Sequence, residues 1–190
     1  MSYFGSITTL SESPKVEGLI YAGTDDGLVQ VSEDGGGSWR RIDSLPGVPA
    51  GFFVNDIKAC RHDADTVFVV VDNHKAGDFK PYLLKSENRG RTWTSLAADL
   101  PERHLLWSLA QDAVQPGLLF VGSEFGVFFT QDGGRHWHRF SRLPTLSFRD
   151  IEVQDRECDL VAASFVVVPE PSAAALLGLG GALLLLRCRP

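Results

Sequence analysis

Short runs of hydrophobic residues alternate with polar, glycine-rich turns through most of the chain. The runs are rich in Val, Ile, Leu and Phe and are bounded by Gly, Pro, Asn, Asp and Ser, which is the pattern of β-strands rather than helices. They lie at Ile7–Leu10, Leu19–Gly23, Leu28–Val31, Phe53–Cys60, Thr66–Val71, Tyr82–Lys85, Leu105–Gln111, Gly117–Gly122, Val127–Phe129 and Phe148–Val153. The sequence therefore predicts an all-β chain.

An eight-residue segment returns three times between these runs, at residues 32–39, 86–93 and 130–137. Each of these box segments has the form Ser/Thr-x-Asp/Asn-x-Gly-x-Ser/Thr/His-Trp. Their tryptophans are 54 and then 44 residues apart, which is the period of a four-stranded propeller blade. Residues 1–167 therefore predict a partial β-propeller of about three and a half four-stranded blades. The fourth blade is represented by its first two strands.

Each residue type of the box segment suits a tight turn between strands. The Asp or Asn can accept hydrogen bonds from backbone N–H groups further round the turn, and the glycine allows a positive φ. The tryptophan can bury on the order of 200 Å² against neighbouring strands. The residues concerned are Ser32, Asp34, Gly36, Trp39, Ser86, Asn88, Gly90, Trp93, Thr130, Asp132, Gly134 and Trp137.

The box segment resembles the Asp-box, or BNR repeat, of sialidases, sortilin-like propellers and related glycoside hydrolases. That resemblance implies a structural turn between the third and fourth strands of each blade, on the face away from ligands. A role in holding the fold is therefore expected for these residues.

The predicted blade array is not closed. Propellers have about four to eight blades, and a terminal blade without neighbours exposes strand edges. The chain is therefore expected to be a piece of a longer propeller, or to complete itself by forming an oligomer. The segment Met1–Leu10 has neither the basic start nor the hydrophobic core of an export signal. An incomplete chain, a late start codon or a gene fusion would account for both features.

Residues 168–190 form a separate predicted segment. The triplet Pro169-Glu170-Pro171 is followed by the uncharged run Ala173–Leu186 and then by Arg187 and Arg189. These three parts resemble the PEP-CTERM sorting signal. The resemblance implies a short hydrophobic transmembrane helix, processing by a sorting protease called exosortase, and a membrane-anchored or exported protein of the bacterial cell envelope. The alternative is a buried C-terminal helix that packs over the open end of the blade array.

The turns opposite the box segments are the expected ligand-binding face, because there the loops between second and third strands meet the Leu-Pro corners that link the blades. The candidates are Asp25, Asp26, Asp72, His74, Phe79, Trp107, Glu124 and Phe125. Carboxylates beside aromatic rings can bind a carbohydrate or a peptide. The alternative is that Asp25, Asp26 and Asp72 stabilise hairpin turns.

A glycoside hydrolase, or the inactive remnant of one, is the enzymatic alternative to a binding or scaffold module. Hydrolysis needs two carboxylates about 5 to 9.5 Å apart, and the catalytic candidates Asp25 and Glu124 lie in equivalent turns two blades apart. The segment Thr24–Gly27 resembles the catalytic-base turn of Asp-box xyloglucanases. A sialidase would need an arginine cluster and a Tyr/Glu nucleophile pair, and the sequence locates neither. The sequence favours the binding module.

Composition and charge further limit the classes of ligand that the chain is expected to bind. A net charge of −6 over 190 residues, with scattered Lys and Arg, argues against nucleic acid. The histidines and the three cysteines show no metal-ligand spacing, and Cys60 and Cys158 are interpreted as packing residues. The sequence predicts no metal site and no cofactor.

Overall fold

The described residues of the computed structural model are 5–141, 143–153, 159–165 and 181–187. Almost all regular structure in them is β. The strands are β1 (Ile7–Glu12), β2 (Ile20–Thr24), β3 (Val29–Ser32), β4 (Arg40–Ile42), β5 (Phe53–Ala59), β6 (Val67–Asn73), β7 (Asp78–Ser86), β8 (Thr94–Ser95), β9 (Leu106–Gln111), β10 (Leu119–Ser123), β11 (Gly126–Thr130), β12 (His138–Arg139), β13 (Phe148–Val153), β14 (Asp159–Phe165) and β15 (Gly181–Arg187). A short 3₁₀ turn, His74–Ala76, joins β6 to β7.

The strands form four sheets in chain order, and every neighbouring pair is antiparallel. Blade 1 is β1-β2-β3-β4, blade 2 is β5-β6-β7-β8, blade 3 is β9-β10-β11-β12, and blade 4 is β13-β14-β15. The first strands of successive blades contact one another, so β1, β5, β9 and β13 follow each other along the inside of the array. This architecture confirms the predicted all-β, partial propeller.

The hydrophobic core lies between the blades. Leu19 and Tyr21 of blade 1 pack on Val54 and Ile57 of blade 2, and two further clusters fill the next two gaps. Every residue of β6 is buried because blades cover both faces of this sheet. A strand that is buried on both faces has a continuous run of apolar residues in its sequence. Each large apolar side chain buried in this way contributes about 1.5 to 3 kcal/mol.

Each first strand carries a β-bulge near its start, and the bulged side chains of the first two blades bond to the next blade. The Thr8 hydroxyl donates to the Val54 carbonyl (2.6 Å), and the Asn55 amide donates to the Leu106 carbonyl (2.7 Å). The bulged residues, one per blade, are Thr8, Asn55, Trp107 and Arg149. A bulge leaves its residue outside the sheet ladder, which releases the side chain for these contacts.

The residue after each of the first two bulges accepts a hydrogen bond from the next blade. Thr9 Oγ1 accepts from the Ile57 N–H (3.2 Å), and Asp56 Oδ2 accepts from the Leu109 N–H (2.9 Å). Asp56 is buried, and burial raises its pKa to about 6 against the opposing effect of Lys58, 3.8 Å away. A carboxylate therefore stands at the centre of the array, bonded to the blades on both sides.

The predicted turn chemistry of the box segments is confirmed. Each Asp or Asn accepts a hydrogen bond from the backbone N–H four residues later, as between Asp34 and Ser38 (2.8 Å). Each Ser or Thr hydroxyl accepts one from the glycine N–H. The glycines Gly36, Gly90 and Gly134 all have positive φ. The Ser38 hydroxyl and N–H lower the pKa of Asp34 to about 2.

The box tryptophans differ in burial, which the repeated sequence did not predict. Trp137 is buried against blade 2 and donates its indole N–H to the Leu96 carbonyl (2.9 Å). Trp93 is half-buried against the cluster between blades 1 and 2. Trp39 is 42% exposed and donates to Gly36 of its own turn (3.2 Å). Burial of Trp39 was a wrong prediction because no blade of the described chain covers the outer side of blade 1.

The C-terminal hydrophobic run differs from its predicted form. Residues 181–187 are strand β15, not part of the helix predicted over Ala173–Leu186, and they pair with β14 along its whole length. The strand satisfies the backbone groups of the β14 edge, which would otherwise stay unpaired. The triplet Pro169-Glu170-Pro171, residues 173–180 and Arg189 lie outside the described residues. Within the described part of the chain, no helix has the length and apolar character needed to cross a membrane.

The different environments of two box tryptophans predict different stability losses. Trp137→Ala is expected to lower the free energy of unfolding by about 3 to 5 kcal/mol, because it leaves a cavity between blades. Trp39→Ala is expected to cost about 1 kcal/mol, the order of its one hydrogen bond. Denaturant unfolding of both variants measures the difference, and equal losses would contradict the burial described above.

The buried Asp56 predicts a pH-dependent stability. The pKa of Asp56 is about 6 in the folded protein, above its value in the unfolded chain. Its contribution to the free energy of unfolding is therefore fully present below about pH 4 and is lost as the pH rises through 6. Asp56→Asn removes this titration. Relative to the wild type, the variant should gain roughly 3 kcal/mol of stability between pH 4 and pH 7.5.

Asp63→Asn is the matched control, because the Asp65 N–H and the Thr66 hydroxyl lower the pKa of Asp63. Asp63 therefore stabilises the protein above its unfolded pKa, and this contribution disappears as pH falls through its folded value. The control should show the opposite trend with pH. Thermal unfolding across the pH range tests both variants, and a pH-independent difference for Asp56→Asn would refute the assignment.

Candidate ligand-binding face

The two ends of the blades carry different connections. The turns β1–β2 and β3–β4, with the box segments, lie at one end, here called the box end. The turns β2–β3 and the connections from each fourth strand to the next blade lie at the other, here called the loop face. This alternation follows from the antiparallel order of each sheet.

A buried carboxylate orients a histidine on the loop face. Asp72, near the end of β6, is 1% exposed, and its Oδ1 accepts hydrogen bonds from the backbone N–H (3.1 Å) and from ring Nδ1 of His74. The His74 side chain is 41% exposed. With Nδ1 held by Asp72, the opposite nitrogen, Nε2, is the one available to a ligand. Asp72 Oδ2 is buried and has no hydrogen-bond partner among the described residues.

The bulged residues of blades 3 and 4 complete this site. The ring of Trp107 meets the edge of the His74 ring at a centroid distance of 6.3 Å. The guanidinium of Arg149 lies over the same Trp107 ring, 4.2 Å from its centroid. Trp107 Nε1 is buried without a partner in the described part of the chain. Asp72, His74, Trp107 and Arg149 are called the Trp107 cluster below.

Arg149 gives the Trp107 cluster an exposed positive charge. The residue is exposed, and its stacking on Trp107 is a cation–π contact of about 0.5 to 2 kcal/mol. Within the described residues no carboxylate lies at ion-pair distance from Arg149. A planar guanidinium held in this way presents its N–H fork to a carboxylate or phosphate.

A second aromatic group lies further along the loop face. The ring of His104 packs edge-on against Phe125 (5.3 Å) and Phe128 (5.7 Å). Burial lowers the pKa of His104, and the nearby charge of Arg139 adds to the effect. Phe125 stays 41% exposed, so it can contact a ligand. Glu124 precedes it in the β10–β11 turn.

The carboxylates of the first turn have partners within the turn and its neighbouring strand. Asp25 accepts a hydrogen bond from the Ser6 N–H (2.7 Å), and Asp26 accepts one from the Thr24 hydroxyl (2.5 Å). Blade 2 stands between Asp25 and Glu124, and no hydrogen bond joins the two in the part of the chain that the structure describes. Asp26 therefore bonds within the turn, and Asp25 ties the turn to the segment before β1.

The structure brings together three of the sequence-predicted residues, Asp72, His74 and Trp107. Phe79 lies on β7, 40% exposed, outside the Trp107 cluster. Arg149 was missed. The signal for it is the alignment of the bulges: Ile-Thr-Thr-Leu, Val-Asn-Asp-Ile, Leu-Trp-Ser-Leu and Phe-Arg-Asp-Ile place Thr8, Asn55, Trp107 and Arg149 in register.

Two surface cavities accompany the array, and neither contains the Trp107 cluster. One, of about 330 Å³, opens on the loop face between the connections of blades 1 and 2, and the other, of about 290 Å³, lies along the first strands toward the box end. Within the Trp107 cluster Asp72 is buried, whereas Arg149 is exposed and the His74 side chain is 41% exposed. No group of metal-ligating side chains occurs among the described residues.

Solved structures with the same architecture include propellers of two kinds. A YCF48 bound to D1 peptide superposes with a TM-score of 0.61 and 15% identity, over 84% of this chain and 48% of that one. YCF48 from Cyanidioschyzon merolae gives 0.61 and 15%, over 84% and 50%. The GH74 xyloglucanase from Xanthomonas campestris gives 0.68 and 18%, over 93% and 28%.

These similarities show the fold, a β-propeller. The chain spans about half the length of the YCF48 chains and about a quarter of the xyloglucanase. No protein-family model matches the chain, and no curated protein matches it in sequence.

Proposed function

We propose that the chain is a binding or scaffold module whose loop face holds a peptide through the Trp107 cluster. The observation that carries this proposal is the exposed Arg149 guanidinium stacked on Trp107 beside the Asp72–His74 pair. Arg149 supplies a bidentate partner for a carboxylate, Trp107 an aromatic surface, and His74 a polar contact. An acidic residue next to a hydrophobic one in a peptide matches this set.

The likeness to a YCF48 propeller that is bound to D1 peptide supports a peptide as the ligand. The exposure of Arg149 and His74 also suits a short peptide that lies along the surface of the blade array. Carbohydrate binding is the alternative, because aromatic rings beside carboxylates also suit sugars.

Arg149→Ala is expected to weaken binding of acidic peptides at least tenfold. A hydrogen bond to a charged group contributes about 1.5 to 3 kcal/mol, and about 1.4 kcal/mol is a factor of ten. The probe is an array of acidic and basic peptides with xyloglucan oligosaccharides printed alongside, followed by titration of the retained peptides. Arg135→Ala, an exposed arginine at the box end, is the matched control and should bind like the wild type.

Two results would overturn the peptide proposal: equal binding by the Arg149→Ala variant and the wild type, or retention of the oligosaccharides alone. In the second case the hydrolase alternative gains support from the GH74 likeness. Release of reducing sugar that disappears in both Asp25→Asn and Glu124→Gln would then identify a glycoside hydrolase of the xyloglucanase kind. Without such release, the chain is a sugar-binding module or an inactive remnant.

We further propose that the box segments are Asp-boxes and that the tail is a PEP-CTERM signal of an envelope protein, sorted by an exosortase and held at or exported through the membrane. The support is the order of the triplet Pro169-Glu170-Pro171, the hydrophobic run and the basic end. Since residues 181–187 pair with β14, the tail must leave blade 4 before a membrane enzyme can reach it.

Processing of the tail can be measured by mass. In a host that contains an exosortase, the wild-type chain should lose residues beyond the triplet, whereas a variant with Glu170→Ala and Pro171→Ala should keep its full mass because the recognised residues are gone. Intact mass spectrometry of the membrane and secreted fractions reads this out. A host without the enzyme is the control, and identical masses in both hosts would refute the sorting proposal.

A further inference from the structure

The outer side of blade 1 repeats an interface that the chain uses three times internally. Ile7 is 65% exposed and Leu10 is 62% exposed, and Trp39 lies on the same side, 42% exposed. The strand register aligns Ile7 with Val54, Leu106 and Phe148, and Leu10 with Ile57, Leu109 and Ile151, all of which are at most 1% exposed. Blade 1 therefore presents the surface that, in blades 2, 3 and 4, is covered by the preceding blade.

On blade 4, Asp150 of β13 presents a hydrogen-bond acceptor that fits that interface. Asp150 follows the bulge of β13, so it holds the register position of Thr9 and Asp56. Both of those side chains accept an N–H from the next blade, at Ile57 and Leu109. Asp150 is exposed, and no described residue donates to it. The N–H at the aligned position of blade 1 is that of Leu10.

We propose that the outer side of blade 1 binds blade 4 of a second copy of this chain, and that two copies close head to tail into one ring. In the interface, Asp150 of one copy accepts the Leu10 N–H of the other, as Asp56 accepts that of Leu109. Leu10, Ile7 and Trp39 become buried as their counterparts are. Two copies of the four described sheets give eight blades, within the usual range of about four to eight.

The size of the array favours closure by two copies over an open chain of copies. The part of the chain that matches YCF48 covers 48% or 50% of those chains, so the matching parts of two copies are together about as long as one YCF48 chain. A head-to-tail contact forms a closed ring when its rotation completes a full turn and an open filament otherwise. A two-fold axis along the propeller axis makes both new interfaces identical.

The test is the mass of the full chain in solution, by sedimentation velocity at micromolar concentration. The wild type is expected at twice its 20.8 kDa. Leu10→Asp should give a monomer, because it buries an unpaired charge in the interface. Val114→Asp is the matched control: Val114 is 72% exposed in the β9–β10 turn, away from blade 1, and the variant should remain a dimer.

Asp150 provides a second, independent measurement that does not depend on the folding of the Leu10→Asp variant. Asp150→Ala should raise the dimer dissociation constant at least tenfold, and Asp150→Asn, which keeps an oxygen acceptor, should recover most of the affinity. Circular dichroism confirms that each variant keeps the β-sheet signal. A monomeric wild type, a polydisperse open polymer, or equal dissociation by Leu10→Asp and Val114→Asp would each overturn the proposal.

Discussion

The blade array depends on hydrogen bonds from the bulged ends of the first strands to the backbone of the next blade. The first strands lie side by side without forming a common sheet, so their bulges would leave backbone groups unpaired in a buried place. Thr8 and Asn55 satisfy the carbonyls, and Thr9 and Asp56 satisfy the N–H groups. The side chains that satisfy these backbone groups also fix the register of one blade against the next. The hydrophobic clusters between the blades can pack well only in that register.

The Trp107 cluster lies where this bonding pattern changes. At the third interface the bulge holds Trp107 and the following residue is Ser108, whose hydroxyl is buried without a partner in the described chain. The blades approach closely here, because a Cβ at Gly122 would lie 2.4 Å from the Phe148 carbonyl oxygen. Freed from the interblade role, the Trp107 ring can carry Arg149 instead. Local departure from a repeated rule is typical of functional sites.

The sequence predicted the features that depend on local residues, which are the blades and their turns. It missed the features that depend on contacts between blades. The period of the tryptophans and the turn residues around Asp34, Asn88 and Asp132 were sufficient for the blades and their turns. Arg149 was missed because its place beside Trp107 follows from the register of the first strands, which becomes apparent only when the four strands are aligned at their bulges. Trp39 is exposed because no blade among the described residues covers the outer side of blade 1. The hydrophobic run 181–187 has no periodicity that separates helix from strand, so the open edge of β14 determined its structure.

Pairing of β15 with β14 links the two proposals that concern the ends of the chain. In the proposed sorting, an exosortase that drew the tail away would remove the third strand of blade 4 and leave β13 and β14, and Asp150 would stay because it lies on β13. A dimer that binds blade 4 in its paired form stabilises that form by mass action, and so it opposes release of the tail. Sorting would then act on monomers before assembly. If both proposals hold, this order would follow because β15 cannot pair with β14 and be drawn away by the enzyme at the same time, and it would require no additional conformational switch.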